Sequence, residues 1–248
     1  MIPWTLLDSA IVPGDGGEMR LYRRGEEYSI RIGRHELMNS RAYGSEDALA
    51  RLACERLRGR KHARLLIGGL GMGLTLAGAA RETARDAEIV VAELVPAVVA
   101  WSRGQLAHLN GGACDDARVR IREEDVVRII RERREAWDAI LLDVDNGPAG
   151  LSAKANERLY SLAGLRAAHA GLRSGGILAL WSAGSDPAFQ RRLSQAGFDA
   201  EQVVVRGRGN RGARFVIWLA QRSRIHPPSG SPAPRARAAS VRRVSRHR

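Results

Sequence analysis

Asp143 and Asp145 stand two residues apart where the apolar run Ala139 to Leu142 stops, in a loop that continues Asn146, Gly147, Pro148. Two carboxylates so placed can hold a cationic substrate, and one of them can take the proton from an amine as it attacks. Aspartates also build plain turns, so a turn role is the competing account. A second group of residues suits a nucleoside. The run Arg64 to Gly68 is followed by Gly69, Leu70, Gly71, Met72 and Gly73, and then by the Ala-rich stretch Leu74 to Ala84. Strand, tight turn and helix in that order cradle nucleotides, because glycines let the backbone approach a ligand. The expectation is that a Cβ at Gly69, Gly71 or Gly73 would occupy space needed by a ribose or adenosyl group. Glu93 ends the next apolar run, 20 residues past Gly73, where an acid can accept hydrogen bonds from both ribose hydroxyls. The spacing is G-x-G-x-G, since the sixth position of the longer pattern is Leu74 or Leu76, and this favours a sulfonium nucleoside over a nicotinamide dinucleotide.

These residues need strands to carry them. Alternating apolar and helical segments from residue 64 onward predict a doubly wound, mostly parallel sheet. Strands are expected near 64–68, 88–92, 118–122, 137–142 and 176–181, and helices near 73–85, 95–108, 124–135, 155–171 and 186–195. Two more strands, near 200–205 and 213–219, form a closing antiparallel hairpin around the Arg- and Gly-rich turn 206–212. Ligands in such sheets bind beyond the carboxyl ends of the strands. Glu124 and Asp125 lie there after the third strand, and Trp181 with Ser182 after the fifth. Asp125 has two readings, acceptor for an adenine amino group and helix N-cap. Before the sheet, residues 1–44 alternate apolar and polar positions around turn clusters, a small antiparallel β unit. A helix over 45–57 then leads in, with Ser45 as its N-cap.

Composition sets bounds. The 248 residues are 44% hydrophobic and 27% charged, which suits one sizeable α/β domain, expected over 45–222. No apolar run approaches the roughly 20 residues of a membrane span, and the N-terminus lacks a basic leader, so a cytoplasmic, membrane-free protein is expected. Cys54 and Cys114 are isolated, and the histidines show no metal spacing, so no metal site is expected. About half of the +13 net charge comes from seven arginines within residues 223–248, a stretch without acids. That Pro-, Ser- and Ala-rich tail is read as disordered, either a solvated extension or a nonspecific contact for nucleic acid.

Taken together, the order of features resembles the spermidine synthase family, the polyamine aminopropyltransferases, over roughly residues 1–220. The matching passages are Leu65 to Gly73, Glu93, Cys114 to Ile130, Trp137 to Pro148 and Leu172 to Leu180. The resemblance implies a Rossmann-like adenosylmethionine-type transferase fold behind a small N-terminal β domain that supports homodimers. It implies that Glu93 binds ribose, that Asp125 with Glu124 lies at the adenine, and that Asp143 is the catalytic base. Glu46, Asp145 and Trp181 would then meet the amine acceptor. The donor would be decarboxylated S-adenosylmethionine, and methylthioadenosine would leave. The sequence departs from the family in three places. The glycine loop has Leu70, Gly71 and Met72 where the family carries an Asp that pairs with the donor's amine. Its catalytic loop is two residues shorter than the family's and has Asn146 in place of a Pro, and Trp181 replaces a Gln. Because an acid in the glycine loop would attract the decarboxylated donor and repel S-adenosylmethionine, its loss keeps a methyltransferase on the same scaffold as the alternative. A non-catalytic adenosyl-binding protein with a nucleic-acid-contacting tail is the third reading.

Overall fold

A computed structural model of the chain describes residues 2–14, 17–41, 43–144, 158–208 and 211–223. Asp145, with the rest of the segment 145–157, and the tail 224–248 lie outside the described residues.

Strands β1 (Thr5–Ile11), β2 (Glu18–Arg24), β3 (Glu27–Ile32) and β4 (His35–Asn39) form an antiparallel sheet in chain order. Their alternation has a physical outlet: Met19, Leu21, Tyr28 and Ile30 are buried on one face, whereas Arg20, Tyr22 and Arg31 stand on the other. Helix α1 (Gly44–Glu55) follows. Ser45 is not its N-cap. Tyr43 occupies that position without a side-chain bond, and the Ser45 hydroxyl, inside the first turn, donates to Glu46 Oε2 at 2.6 Å.

The larger sheet contains β5 (Arg64–Gly68), β6 (Glu88–Ala92), β7 (Val119–Arg122), β8 (Trp137–Leu142), β9 (Leu172–Ser182), β10 (Phe198–Arg208) and β11 (Arg211–Arg222). Between them run α2 (Leu74–Glu82), α3 (Pro96–Arg103), α4 (Val126–Glu132), α5 (Leu162–Gly171) and α6 (Pro187–Gln195). The strand order is β10-β11-β9-β8-β5-β6-β7, parallel from β5 through β9 and closed by the antiparallel β10–β11 hairpin. This is the expected Rossmann-like architecture, with a small antiparallel sheet in front. Helix α3 stops at Arg103, short of the expected 108, because Gly104 takes a backbone conformation (φ −102°, ψ −106°) that no helix continues.

Both faces of the central strands are covered, which is why their sequences are continuous apolar runs. Leu65 and Ile67 of β5 pack toward α1, α2 and the N-terminal sheet, while Leu66 packs toward α4 and α5. Fully burying such a side chain is worth about 1.5–3 kcal/mol, so these strands have little freedom to shift register. The chain goes from β5 to β6 on one side, whereas β8 lies on the other side of β5, so the sheet's switch point falls between β5 and β8. Ala92, Gly68, Leu142 and Leu180 are level neighbours in register. One residue further, Glu93, Gly69 and Asp143 therefore leave the sheet along one edge, and Trp181, still paired to β11, stands level with them.

Candidate active site

Asp143 emerges at the switch point. Its backbone N–H donates to Gly68 O at 3.0 Å, which fixes the turn beside the glycine loop. Its Oδ2 accepts from Thr75 Oγ1 at 2.7 Å, from the first turn of α2. No cationic partner meets it among the described residues. Burial pushes its carboxyl above the usual carboxylate range, and only the Thr75 bond opposes this. Glu46, in the first turn of α1 and 9% exposed, faces the same place. Burial first, and then the charge of Asp143, raise its carboxyl from 4.5 to about 7. Two carboxyls that resist ionising together hold a proton near neutrality and favour a cation between them.

The glycine loop is held from both sides. Glu93 is 8% exposed, and its two oxygens accept from the backbone N–H groups of Leu70 and Val95, each at 2.9 Å. Burial raises its carboxyl, while amides of the loop and of the segment after β6 stabilise the charge. The carboxylate thus already braces the loop through these amides. From the other side, Ser102 Oγ donates to Gly71 O at 2.6 Å.

The expectation for Gly69, Gly71 and Gly73 needs correction. All three have positive φ (87°, 50° and 78°), a region that L side chains rarely adopt, and the space beside each is filled by protein atoms. A Cβ at Gly69 would lie 2.5 Å from Asp143 O, and one at Gly73 would lie 2.8 Å from Asn110 Cβ. At Gly71 the Cβ would overlap the Met38 thioether, carried there by β4 of the N-terminal sheet. The glycines are thus required by close packing around the loop, and the small sheet closes over it.

The remaining predicted residues divide. Asp125 is exposed and caps α4, its Oδ1 accepting from Val127 N–H at 2.8 Å, so the capping role is the one seen. Glu124 is paired with Arg122 and, at 3.4 Å, with Arg128. Its carboxylate is thus already engaged by two cations. Trp181 is half-buried against Phe215, the ring centroids 5.0 Å apart and the planes tilted by 37°. Its indole N–H, like those of Trp137 and Trp218, has no partner among the described residues. Asp145 lies outside the described residues. The residues that sequence reasoning missed are Thr75, whose only signal is a lone hydroxyl in an apolar helix start, and Asn110, whose buried amide donates to Ser102 O at 2.8 Å behind the loop. An open depression elsewhere, lined by Ala77, Ala80, Arg81, Asp115 and Arg118, carries no free chemistry. There Arg118 pairs with Asp116 and caps the α2 carbonyls, and Arg81 pairs with Asp47.

No family model and no curated protein matches the sequence. By structure the chain is similar to the spermidine synthase of Thermotoga maritima, with a TM-score of 0.70 at 16% identity, over 88% of this chain and 73% of that one. It is also similar to a spermidine synthase solved with the transition-state analogue AdoDATO, with a TM-score of 0.68 at 16% identity, over 88% of this chain and 72% of the other. A probable spermidine synthase from Corynebacterium glutamicum ATCC 13032 matches with a TM-score of 0.59 at 14% identity, over 92% and 83% of the two chains. The fold is therefore spermidine synthase-like, and strongly divergent in sequence.

Proposed function

We propose that the protein is a transferase that moves an aminopropyl group from decarboxylated S-adenosylmethionine to an amine. The observation that carries this reading is Asp143 at the switch point, hydrogen-bonded by Thr75, opposed by Glu46 and free of any cationic partner among the described residues. Binding between Glu46 and Asp143 draws the acceptor ammonium out of water and lowers both carboxyls toward their ionised forms. Asp143 then removes a proton, and the nitrogen lone pair attacks the methylene carbon beside the sulfonium. The carbon–sulfur bond breaks with its electron pair going to sulfur, which leaves neutral methylthioadenosine. Thr75 holds Oδ2, so Oδ1 is the oxygen presented to the amine. On the donor side Glu93 is the acid that would accept from the ribose hydroxyls, while Asp125 and Glu124, engaged by the α4 cap and by Arg122 and Arg128, are not needed for this reading.

A second reading, methyl transfer from S-adenosylmethionine, is favoured by one observation: the glycine loop offers Leu70, Gly71 and Met72, with a thioether over Gly71 and no acid to select the decarboxylated donor. Mass spectrometry of the nucleoside product separates the two. Methylthioadenosine from the decarboxylated donor is the expected result, and adenosylhomocysteine from S-adenosylmethionine would replace the first reading by the second.

A further inference from the structure

The strand register continues the edge beyond Asp143. Trp181 is level with Ile217 of β11, and Ile217 with Val203 of β10, so a row runs from the carboxylate across three apolar side chains. Two residues further along, Phe215 pairs with Val205, and the Phe215 ring lies tilted against that of Trp181. Trp181, Val203 and Val205 are partly buried and pack on the side of the sheet that α1 covers, the side from which Glu46 faces Asp143. The backbone of Arg206 and Gly207 presses against Gly44, which brings the hairpin up to the start of α1. The site thus has two acids at one end and an apolar, aromatic shelf at the other. No charged side chain interrupts this row among the described residues.

We infer that the acceptor is a monoamine with an apolar or aromatic body, its nitrogen at Asp143 and Glu46 and its carbon skeleton along Trp181 and Phe215. The claim rests on the aminopropyl-transfer reading only for which group is moved. A second ammonium, as in a diamine, would leave water for the shelf, where no counter-charge meets it among the described residues. An alkyl or aryl body gains by leaving water there, and an aryl ring gains further from offset or edge contact with the two side-chain rings. The nitrogen goes to the acids because a carboxylate holds a cation more strongly than a ring face does.

The test is calorimetric binding of 2-phenylethylamine and of butane-1,4-diamine to the full chain, with and without methylthioadenosine. The expected result is that 2-phenylethylamine binds at least about tenfold tighter, and that Trp181→Gln removes the preference. Tighter or equal binding of the diamine, binding of neither amine, or a preference that survives Trp181→Gln would overturn the proposal. Should Trp181→Gln fail to fold, Phe215→Leu decides, with roughly a threefold loss of 2-phenylethylamine affinity expected and unchanged affinity counting against the shelf. Since no turnover is needed, the two readings fail separately. Methylthioadenosine formed with a tight-binding diamine would uphold aminopropyl transfer and sink the shelf. Tight 2-phenylethylamine binding with adenosylhomocysteine as product would do the reverse.

Discussion

Strand β8 carries an aspartate near each end, and their surroundings are opposite. At its start, Asp138 is 4% exposed and accepts from Arg60 at 2.5 Å, Arg173 at 2.8 Å and the backbone N–H of Arg64 at 2.8 Å. Arg60 also reaches Ser174 O, and Arg173 reaches Glu135 O, so this end is a closed network tying β5, β8 and β9. Just past the other end, Asp143 has one hydroxyl donor and an acid opposite it. The difference teaches where function lies. A buried carboxylate whose demands are met by its own chain holds the fold, whereas one left short of positive charge is ready to receive it from a ligand.

The sharpest way to break the comparison is to neutralise each aspartate. Asp143→Asn preserves shape and removes the proposed base, so turnover should fall by roughly 100-fold or more while donor binding by calorimetry persists. Unfolding measurements should show this variant at least as stable as the wild type, because a like-charge repulsion is removed. Asp138→Asn should do the opposite. Leaving Arg60 and Arg173 without their carboxylate should cost about 2 kcal/mol in denaturant unfolding, below the usual figure for a broken buried pair because both arginines are partly exposed, with donor affinity per folded molecule little changed.

A pH series sharpens the contrast further. The Glu46 carboxyl is raised in the folded state, so its proton is bound more tightly folded than unfolded, and stability is fully present below the ordinary value of 4.5 and declines as pH rises toward about 7. Glu46→Gln should remove that decline, gaining on the wild type by on the order of 2 kcal/mol between pH 4.5 and 7. A wild type and variant whose stabilities stay parallel across that range would refute the shared acid site. The smallest expected effect is at Thr75. Thr75→Val keeps the shape but deletes the donor to Asp143, which should raise the base's apparent pKa and slow turnover about tenfold at neutral pH, and Thr75→Ser should recover most of it. A pH–rate profile unchanged in Thr75→Val would remove Thr75 from the site.

Much of this was legible locally. Apolar runs of four to six residues ending in glycine or acid marked β5, β6 and β8, and their spacing with helices between them marked a doubly wound sheet. Asp143 and Glu93 could be placed at strand ends because a parallel strand end is recognisable in sequence and its next residue must leave the sheet there. The roles of neighbours were less legible. Glu124 follows a strand end too, but Arg122 and Arg128 claim it, and Asp125 caps its own helix. Sequence position marked them as candidates equal to Glu93, and only their contacts separate them.

Sequence alone determined the alternation of elements, the row on which Asp143 falls and the presence of a tight glycine turn between β5 and α2, because each depends on a few adjacent residues. Tertiary structure decided that Thr75 and Glu46, from two different helices, meet Asp143, and that Met38 covers Gly71. It also set Phe215 against Trp181. Such meetings follow from the register of whole strands and the packing of helices on both faces, which bring together residues with no relation along the chain.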